Sequence, residues 1–308
     1  MAKEIAAGRV QSDQRELKPS SLVRTGEIFD ITIPGIAPNS APPPLPDIVY
    51  EDERLIILNK PPHLLCHPAG DRWEWGIIGL VRDYLPGVRI ELAHRLDRET
   101  SGILVLTKDL AANIYLKERL RRRTEDLKKE YLAIVRGQPK WTENIVEAPI
   151  DLDVHSQVRL RRGVVAGGLS AKTGFEVREH LGEFTVVKCH LFTGRTHQIR
   201  IHLNHLGFPI LGDKIYGQPD RVFMEWMQHR DVSTLHPGID NQHFVFVRNA
   251  VGFSRQALHA WRMQLPHPDG HILNVEAPIP SDMKSIIDGL SPSWPGPETC
   301  PSTTDRPI

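Results

Sequence analysis

Three stretches of this chain carry side chains whose types and spacing could do chemistry, and the first is built around a carboxylate. In His94-Arg95-Leu96-Asp97-Arg98-Glu99-Thr100-Ser101-Gly102, Asp97 lies between two arginines, inside a polar run with apolar sequence on both sides. A carboxylate near guanidinium groups is favoured in its ionised form, and an ionised carboxylate can serve as nucleophile or base. The same residues also suit a plain turn, with Asp97 accepting from backbone N–H groups and the arginines in water. The second stretch is Lys128-Lys129-Glu130-Tyr131-Leu132-Ala133-Ile134-Val135-Arg136-Gly137. It reads as a strand with a tyrosine at its entry and cations just before it. An ordinary half-buried tyrosine with a surface hydroxyl reads the same way. The third stretch, Leu191 to Leu203, contains Thr193-Gly194-Arg195-Thr196-His197-Gln198-Ile199-Arg200, a break and a donor-rich turn leading into a helix. His190, His197, His202 and His205 gather there, which raises a metal site as a competing reading. Their spacing argues against it: the chain has no HExxH and no second ligand group at catalytic-zinc spacing.

Elements on either side must position these groups. Arg89-Ile90-Glu91-Leu92-Ala93 alternates, and Ile103-Leu104-Val105-Leu106-Thr107 reads as a buried strand. Residues 48–62 give a strand, a charged turn and a second strand ended by proline. Helical spacing covers 74–84 and 109–123; in the second, Leu110, Ile114, Leu116 and Leu120 mark an apolar side. Strands are expected at 131–136, 173–178, 184–191 and 245–248. Runs of strands with occasional helices indicate an α+β domain, in place of an alternating parallel α/β one.

A chain of 308 residues, 40% hydrophobic and 25% charged, has the balance of an ordinary soluble globular protein with one main domain and small additions. No apolar run approaches the roughly 18 residues that span a bilayer. Cys66, Cys189 and Cys300 are far apart, so neither a disulfide framework nor a zinc ribbon is expected, and a reducing cytoplasm is the natural home. Net charge is zero, which speaks against a non-specific polyanion binder. Local basic surface exists nonetheless: seven cations against three carboxylates between Lys117 and Lys129, and a second cluster at Arg159, Arg161 and Arg162. A solvated helix face or loop is the plain reading of each.

As a whole string, His94–Gly102 resembles the signature HRLDxxTSG of the RluA-type RNA pseudouridine synthases. Lys129 and Tyr131 match that family's K-x-Y-x-A segment, and Thr193–His202 its TGRxHQ segment with the arginine that follows. Asn59-Lys60-Pro61 with His67-Pro68 resembles NKPxGxxxHP, with His63 where glycine is usual. Leu206–Gly217 resembles LGxPIxGDxxYG, and Leu258-His259-Ala260 the late LHA. The resemblance runs in the family's order from about residue 46 to about 284, and residues 218–247 are its least family-like part, an insertion that could touch substrate.

The resemblance implies a pseudouridine synthase fold with a mainly antiparallel central sheet at 47–284. A partial S-four-like RNA-binding module would precede it at 1–36 with a proline-rich linker at 37–46, and a disordered tail would follow at 285–308. It implies isomerisation of specific uridines in ribosomal or transfer RNA, by a monomer with no cofactor, no metal and no membrane partner. Asp97 would be the nucleophile, Tyr131 would stack on the flipped-out base, and Arg200 would pair with Asp97. Arg95, Lys129, Arg195, His197 and Gln198 would contact the substrate. A catalytically silent RNA-binding or RNA-folding protein on the same scaffold is the rival reading, and a metal-dependent hydrolase a weaker one.

Overall fold

The computed structural model of the chain describes residues 5, 10–12, 15–18, 20–22, 29–31, 42–67, 76–122, 124–235 and 242–289. Its centre is a ten-stranded sheet. The main path runs β3 (Ile48–Glu51), β4 (Leu55–Lys60), β6 (Ser101–Thr107), β13 (Leu258–Pro266), β7 (Lys128–Arg136), β12 (Phe184–Leu191), β11 (Lys172–Leu181) and β8 (Glu143–Glu147). Two short strands flank it: β5 (Glu91–Leu92) pairs with β6, and β14 (Ile272–Glu276) pairs with β13. Every pairing is antiparallel except that of β6 with β13. The expected α+β class with a mainly antiparallel sheet is the fold observed.

Strand alternation explains how one sheet serves two cores. In β4 and β6, Leu55, Ile57, Ile103 and Val105 face one cluster, while Ile56, Leu58, Leu104 and Leu106 face the other. All seven residues of β6 are buried, which is why its sequence is a continuous apolar run without polar alternation. Helix α1 (Ile77–Tyr84) covers the second face with Ile77, Ile78 and Val81. Helix α2 (Leu110–Arg122) covers the first with Ala112 and Leu116. The apolar side expected of α2 divides, because Leu110 and Ile114 are exposed and the buried polar residue on its inner side is Asn113. The Asn113 amide donates to Leu92 O at 3.3 Å and to Thr107 Oγ1 at 3.0 Å, so the helix is tied to the sheet by polar contacts as well.

Parallel contact between β6 and β13 depends on one glycine. Gly102 has φ +106°, and a Cβ there would collide with the carbonyl of Ala260. Only glycine permits that approach at that backbone angle.

One expected strand is a helix. Residues 245–248 lie within α5 (Gln242–Val251), which packs against α4 (Asp220–Leu235). Val247 and Val251, four apart, are buried with Val222, and Phe246 and Ala250 pack beside them. The apolar run is therefore read by i, i+4 contacts with a second helix, and tertiary packing overrides its β-branched composition. Helices α3 (Gln198–His205) and α6 (Ser281–Ile287) complete the set, and Met283 and Ile286 of α6 enter the main core, so the core reaches past residue 284.

Between β8 and β11 the chain makes a small separate ladder of β9 (Ile150–Leu152) and β10 (Arg162–Val164). Near the N-terminus, β1 (Val10–Ser12) pairs antiparallel with β2 (Phe29–Ile31). The rest of the expected 1–36 module lies largely outside the described residues, as do 37–41 of the linker and the tail from 290 on. Among the described residues no helix is long and apolar enough to cross a membrane.

Candidate active site

Asp97 sits in the loop from β5 to β6, at the rim where two core clusters meet, and its position is fixed from all sides. Ala93 N–H donates to Val105 O, and Val105 N–H donates to His94 Nε2 at 3.2 Å, so the histidine ring extends the strand edge. Leu96 N–H points to Cys66 Sγ at 3.3 Å, and Thr100 N–H closes a turn onto Asp97 O at 3.1 Å. Beneath the loop, Lys60 is fully buried and donates to the carbonyls of Pro61 (2.8 Å), Leu64 (2.9 Å) and Arg98 (3.0 Å). Burial pulls its pKa down to about 8. His63, standing where the resembled motif has glycine, adopts φ +66°, and its carbonyl accepts from Arg98 Nε at 3.2 Å. The turn keeps the left-handed geometry that glycine would supply.

The third stretch places its donors through the first turn of α3. Gln198 is buried, and its Oε1 accepts from Thr193 Oγ1 (2.6 Å) and Arg195 N–H (3.0 Å). Its Nε2 donates to Lys172 O and Thr173 Oγ1, both at 2.9 Å. All four positions of the amide are filled, which makes Gln198 a builder of the turn. His197, immediately before the helix, has φ +58°. Its Nδ1 is 2.9 Å from Tyr216 Oη, and Tyr216 Oη accepts from Arg162 N–H at 3.2 Å. The phenol therefore has its proton to give to Nδ1, leaving Nε2–H toward Asp97. His202 uses both ring nitrogens, with Thr173 Oγ1 at 2.9 Å and Ala148 O at 3.0 Å. Among the described residues no three His, Cys, Asp or Glu side chains converge as ligands would.

Arg200, three residues into α3, is 4% exposed and lies between two carboxylates. Nη1 donates to Asp97 Oδ2 at 2.8 Å, while Nε and Nη2 clamp Asp213 at 2.6 and 2.9 Å. Asp213 Oδ1 also accepts from Ile215 and Tyr216 N–H, at 2.9 and 3.1 Å. This two-toothed grip uses the planar guanidinium fork and fixes the direction of the third donor. Burial opposes charge on Asp97, but His197 and Arg200 outweigh it and hold the carboxyl below its ordinary pKa. Burial also pushes His197 down to about 4, so at neutral pH it is Arg200 that provides the formal positive charge.

Asp97, Tyr131, Arg200, Arg95, Lys129, Arg195, His197 and Gln198 all line one cavity of about 1150 Å³. The structure brings together every candidate named from sequence. Tyr131 is 7% exposed, and burial, then the nearby charge of Asp97, raises its pKa. Lys117 and Arg121 of the first basic cluster line the same cavity, with Arg121 held by Glu118 at 2.7 and 2.8 Å, and Arg161 of the second cluster is engaged by Asp220 at 2.7 Å. Sequence reasoning missed Asp213, which was quoted inside the LGxPIxGDxxYG resemblance, and Gln256, which directly precedes Ala257-Leu258-His259-Ala260. An ionised carboxylate facing a roomy cavity, with an aromatic wall and cations at the mouth, can act on a planar, anionic ligand as nucleophile or base.

A family profile described as RNA pseudouridylate synthase matches residues 54–205. Ribosomal large subunit pseudouridine synthase D of Nitrosomonas europaea is 36% identical over 248 residues, 79% of this chain and 64% of that protein. This chain thus spans less than two thirds of that relative's length. The protein of the same name from Neisseria meningitidis serogroup A is 34% identical over 297 residues, 93% of this chain and 73% of that one. Human RNA Pseudouridylate Synthase Domain Containing 1 has a similar fold, with TM-score 0.58 and 23% identity over 82% of this chain and 92% of that chain.

Proposed function

Because this chain belongs to the RNA pseudouridylate synthase family, a family of isomerases, we propose that it converts specific uridines of large-subunit ribosomal RNA to pseudouridine. The ribosomal target is taken from the relatives' names, and the catalytic domain would run from 47 through the last helix, Ser281–Ile287, with 1–36 a partial RNA-binding module. It would act in the cytoplasm as a monomer, without a cofactor. The observation that carries the reading is the contact of Arg200 with Asp97 across 103 residues of sequence, on the wall of a cavity that also holds Tyr131.

In the proposed reaction the N1–C1′ bond breaks, its electron pair leaves with uracil, the base turns, and C5 bonds to C1′. The C5 proton is then lost and N1 regains one, so the change is balanced without redox chemistry. Asp97 would work at the ribose, by bonding to C1′ or by taking the C2′ proton. Arg200 keeps it ionised, and Tyr131 offers a face on which the detached base can lie. The uridine must leave its stack to reach Asp97, at a cost of a few kcal/mol. Arg95, exposed beside Asp97, would enter the vacated space, and Lys129, Lys117, Arg121 and Arg195 would meet phosphates around the cavity.

Site-resolved pseudouridine mapping of total RNA, with and without the gene and with Asp97→Asn, tests this. Loss of pseudouridine at one or a few ribosomal positions in both altered strains is the expected result. A lost transfer-RNA site would move the target, and a map unaltered by Asp97→Asn would support the silent RNA-binding reading.

A further inference from the structure

Among the described residues, every donor that approaches the Asp97 carboxylate approaches the same oxygen. Arg200 Nη1 is 2.8 Å from Oδ2, Gln256 Nε2 is 3.4 Å from it, and His197 Nε2 is 3.8 Å from it. Among the described residues no donor meets Oδ1, while the Asp97 side chain is 28% exposed and lines the cavity.

Gln256 lies 159 residues from Asp97 in sequence, just before β13, and is 2% exposed. One hydrogen of its amide nitrogen goes to Thr100 Oγ1 at 2.7 Å, and the other faces Asp97 Oδ2. An amide oxygen in that place would meet carboxylate lone pairs, so only the donor-inward orientation is acceptable. The backbone there is fixed as well: Gln256 N–H donates to Glu99 Oε2 at 3.2 Å, and its carbonyl accepts from Arg255 Nη1 at 3.1 Å. Lys214 Nζ holds the other Glu99 oxygen at 2.8 Å. Residues 97, 99 and 100 of the loop are thus clipped to one residue of a distant segment. Arg200 by itself would set the distance to Oδ2 but leave the carboxylate free to turn about that contact. A second donor from another direction removes the rotation.

We infer that Gln256 is a positioning residue for the isomerisation, holding Asp97 with Arg200 by Oδ2 so that Oδ1 faces the ribose. The inference rests on the function proposed above and names the reacting atom. Oδ1 would give its lone pair to C1′ as the N1–C1′ electrons leave with uracil, or would accept the C2′ proton. Negative charge returning to the carboxylate when the sugar is released would be met by the donors already on Oδ2.

Two variants test it, Gln256→Leu, which removes the donor, and Gln256→Glu, which keeps the shape and replaces the donor by an acceptor. Single-turnover pseudouridine formation would be followed across pH on a large-subunit ribosomal RNA transcript, with RNA affinity measured separately. The expected loss at saturating RNA is roughly tenfold to a hundredfold, the worth of a hydrogen bond to a charged group. Affinity for the transcript should stay within about twofold. The acid limb of the rate should move to higher pH, because losing a donor favours the protonated carboxyl. It should move further for Gln256→Glu, whose carboxylate repels that of Asp97. A structural role alone would lower the rate equally at every pH; that result, or wild-type rates in both variants, overturns the inference. Should Gln256→Leu fail to fold, the nearly isosteric Gln256→Glu decides. No pseudouridine from the wild-type protein would instead overturn the proposed function, and the wild type accompanies every assay.

Discussion

Arg200 does two jobs that a single point charge cannot do together. Its Nε and Nη2 grip Asp213, and that grip aims Nη1 at Asp97. Arg200→Lys should therefore retain charge and lose aim, and the single-turnover rate is expected to fall about a hundredfold. Near-normal turnover would remove the fork from the account. Tyr131 poses a cleaner question. Among the described residues its hydroxyl has no hydrogen-bond partner, and its ring lies on the cavity wall. Tyr131→Phe should keep most activity and Tyr131→Ala should lose about fivefold to 150-fold, a stacking contact being worth about 1–3 kcal/mol per base; equal losses would assign the work to the hydroxyl. Asp97, Tyr131 and Arg200 were legible in sequence because each sits in a run whose order repeats a known pattern. Gln256 was not. Its role exists only through a contact with Asp97 that no local spacing encodes, and Asp213 looked like one more turn carboxylate until Arg200 was found against it.

At the level of elements, two glycines separate conformational need from tolerance. Gly102→Ala would put a methyl group onto the Ala260 carbonyl at a backbone angle alanine avoids, and should cost more than about 3 kcal/mol. Gly79, inside α1 with nothing within 4 Å of an added Cβ, should gain about 0.5–1 kcal/mol on becoming alanine. Urea midpoints of the two variants should move in opposite directions, and a tolerated Gly102→Ala would mean that β6 and β13 can separate there. Strands such as β6 and β7 were legible because burial on both faces leaves an unbroken apolar signature. The same signature misled at 245–248, where the partner is a helix carrying Val222 and the run is wound to meet it.

Over the whole molecule, buried neutral histidines set the response to acid. Burial lowers His94, His197 and His259 to about 4. The neutral ring does specific work in two of them: His94 Nε2 accepts from Val105 N–H, and His259 bridges Ser101 Oγ at 3.0 Å and Ala277 O at 3.2 Å. With folded pKa values below the unfolded one, the unfolded chain binds more protons between about pH 6.5 and about pH 4. Stability is then fully present above that window and falls as pH drops through it, by up to roughly 1.4 kcal/mol per pH unit for each histidine. Urea denaturation at about pH 7 and about pH 5 should reveal the slope, and His94→Asn should flatten it; a level profile would mean the rings accept protons without loss. The pairing of Ser101 with His259 and of Gly102 with Ala260 also imposes an order in time. A ribosome making this chain delivers Asp97 first and then adds about 160 more residues, for roughly 10–30 s, before β13 exists to lie beside it. Until then the Ser101–Gly102 end of β6 lacks the strand that will lie beside it, and Gln256 is not there to meet Asp97. The carboxylate is thus made long before its second donor, and the site can reach its final geometry only once Gln256 and the start of β13 have come to lie against it.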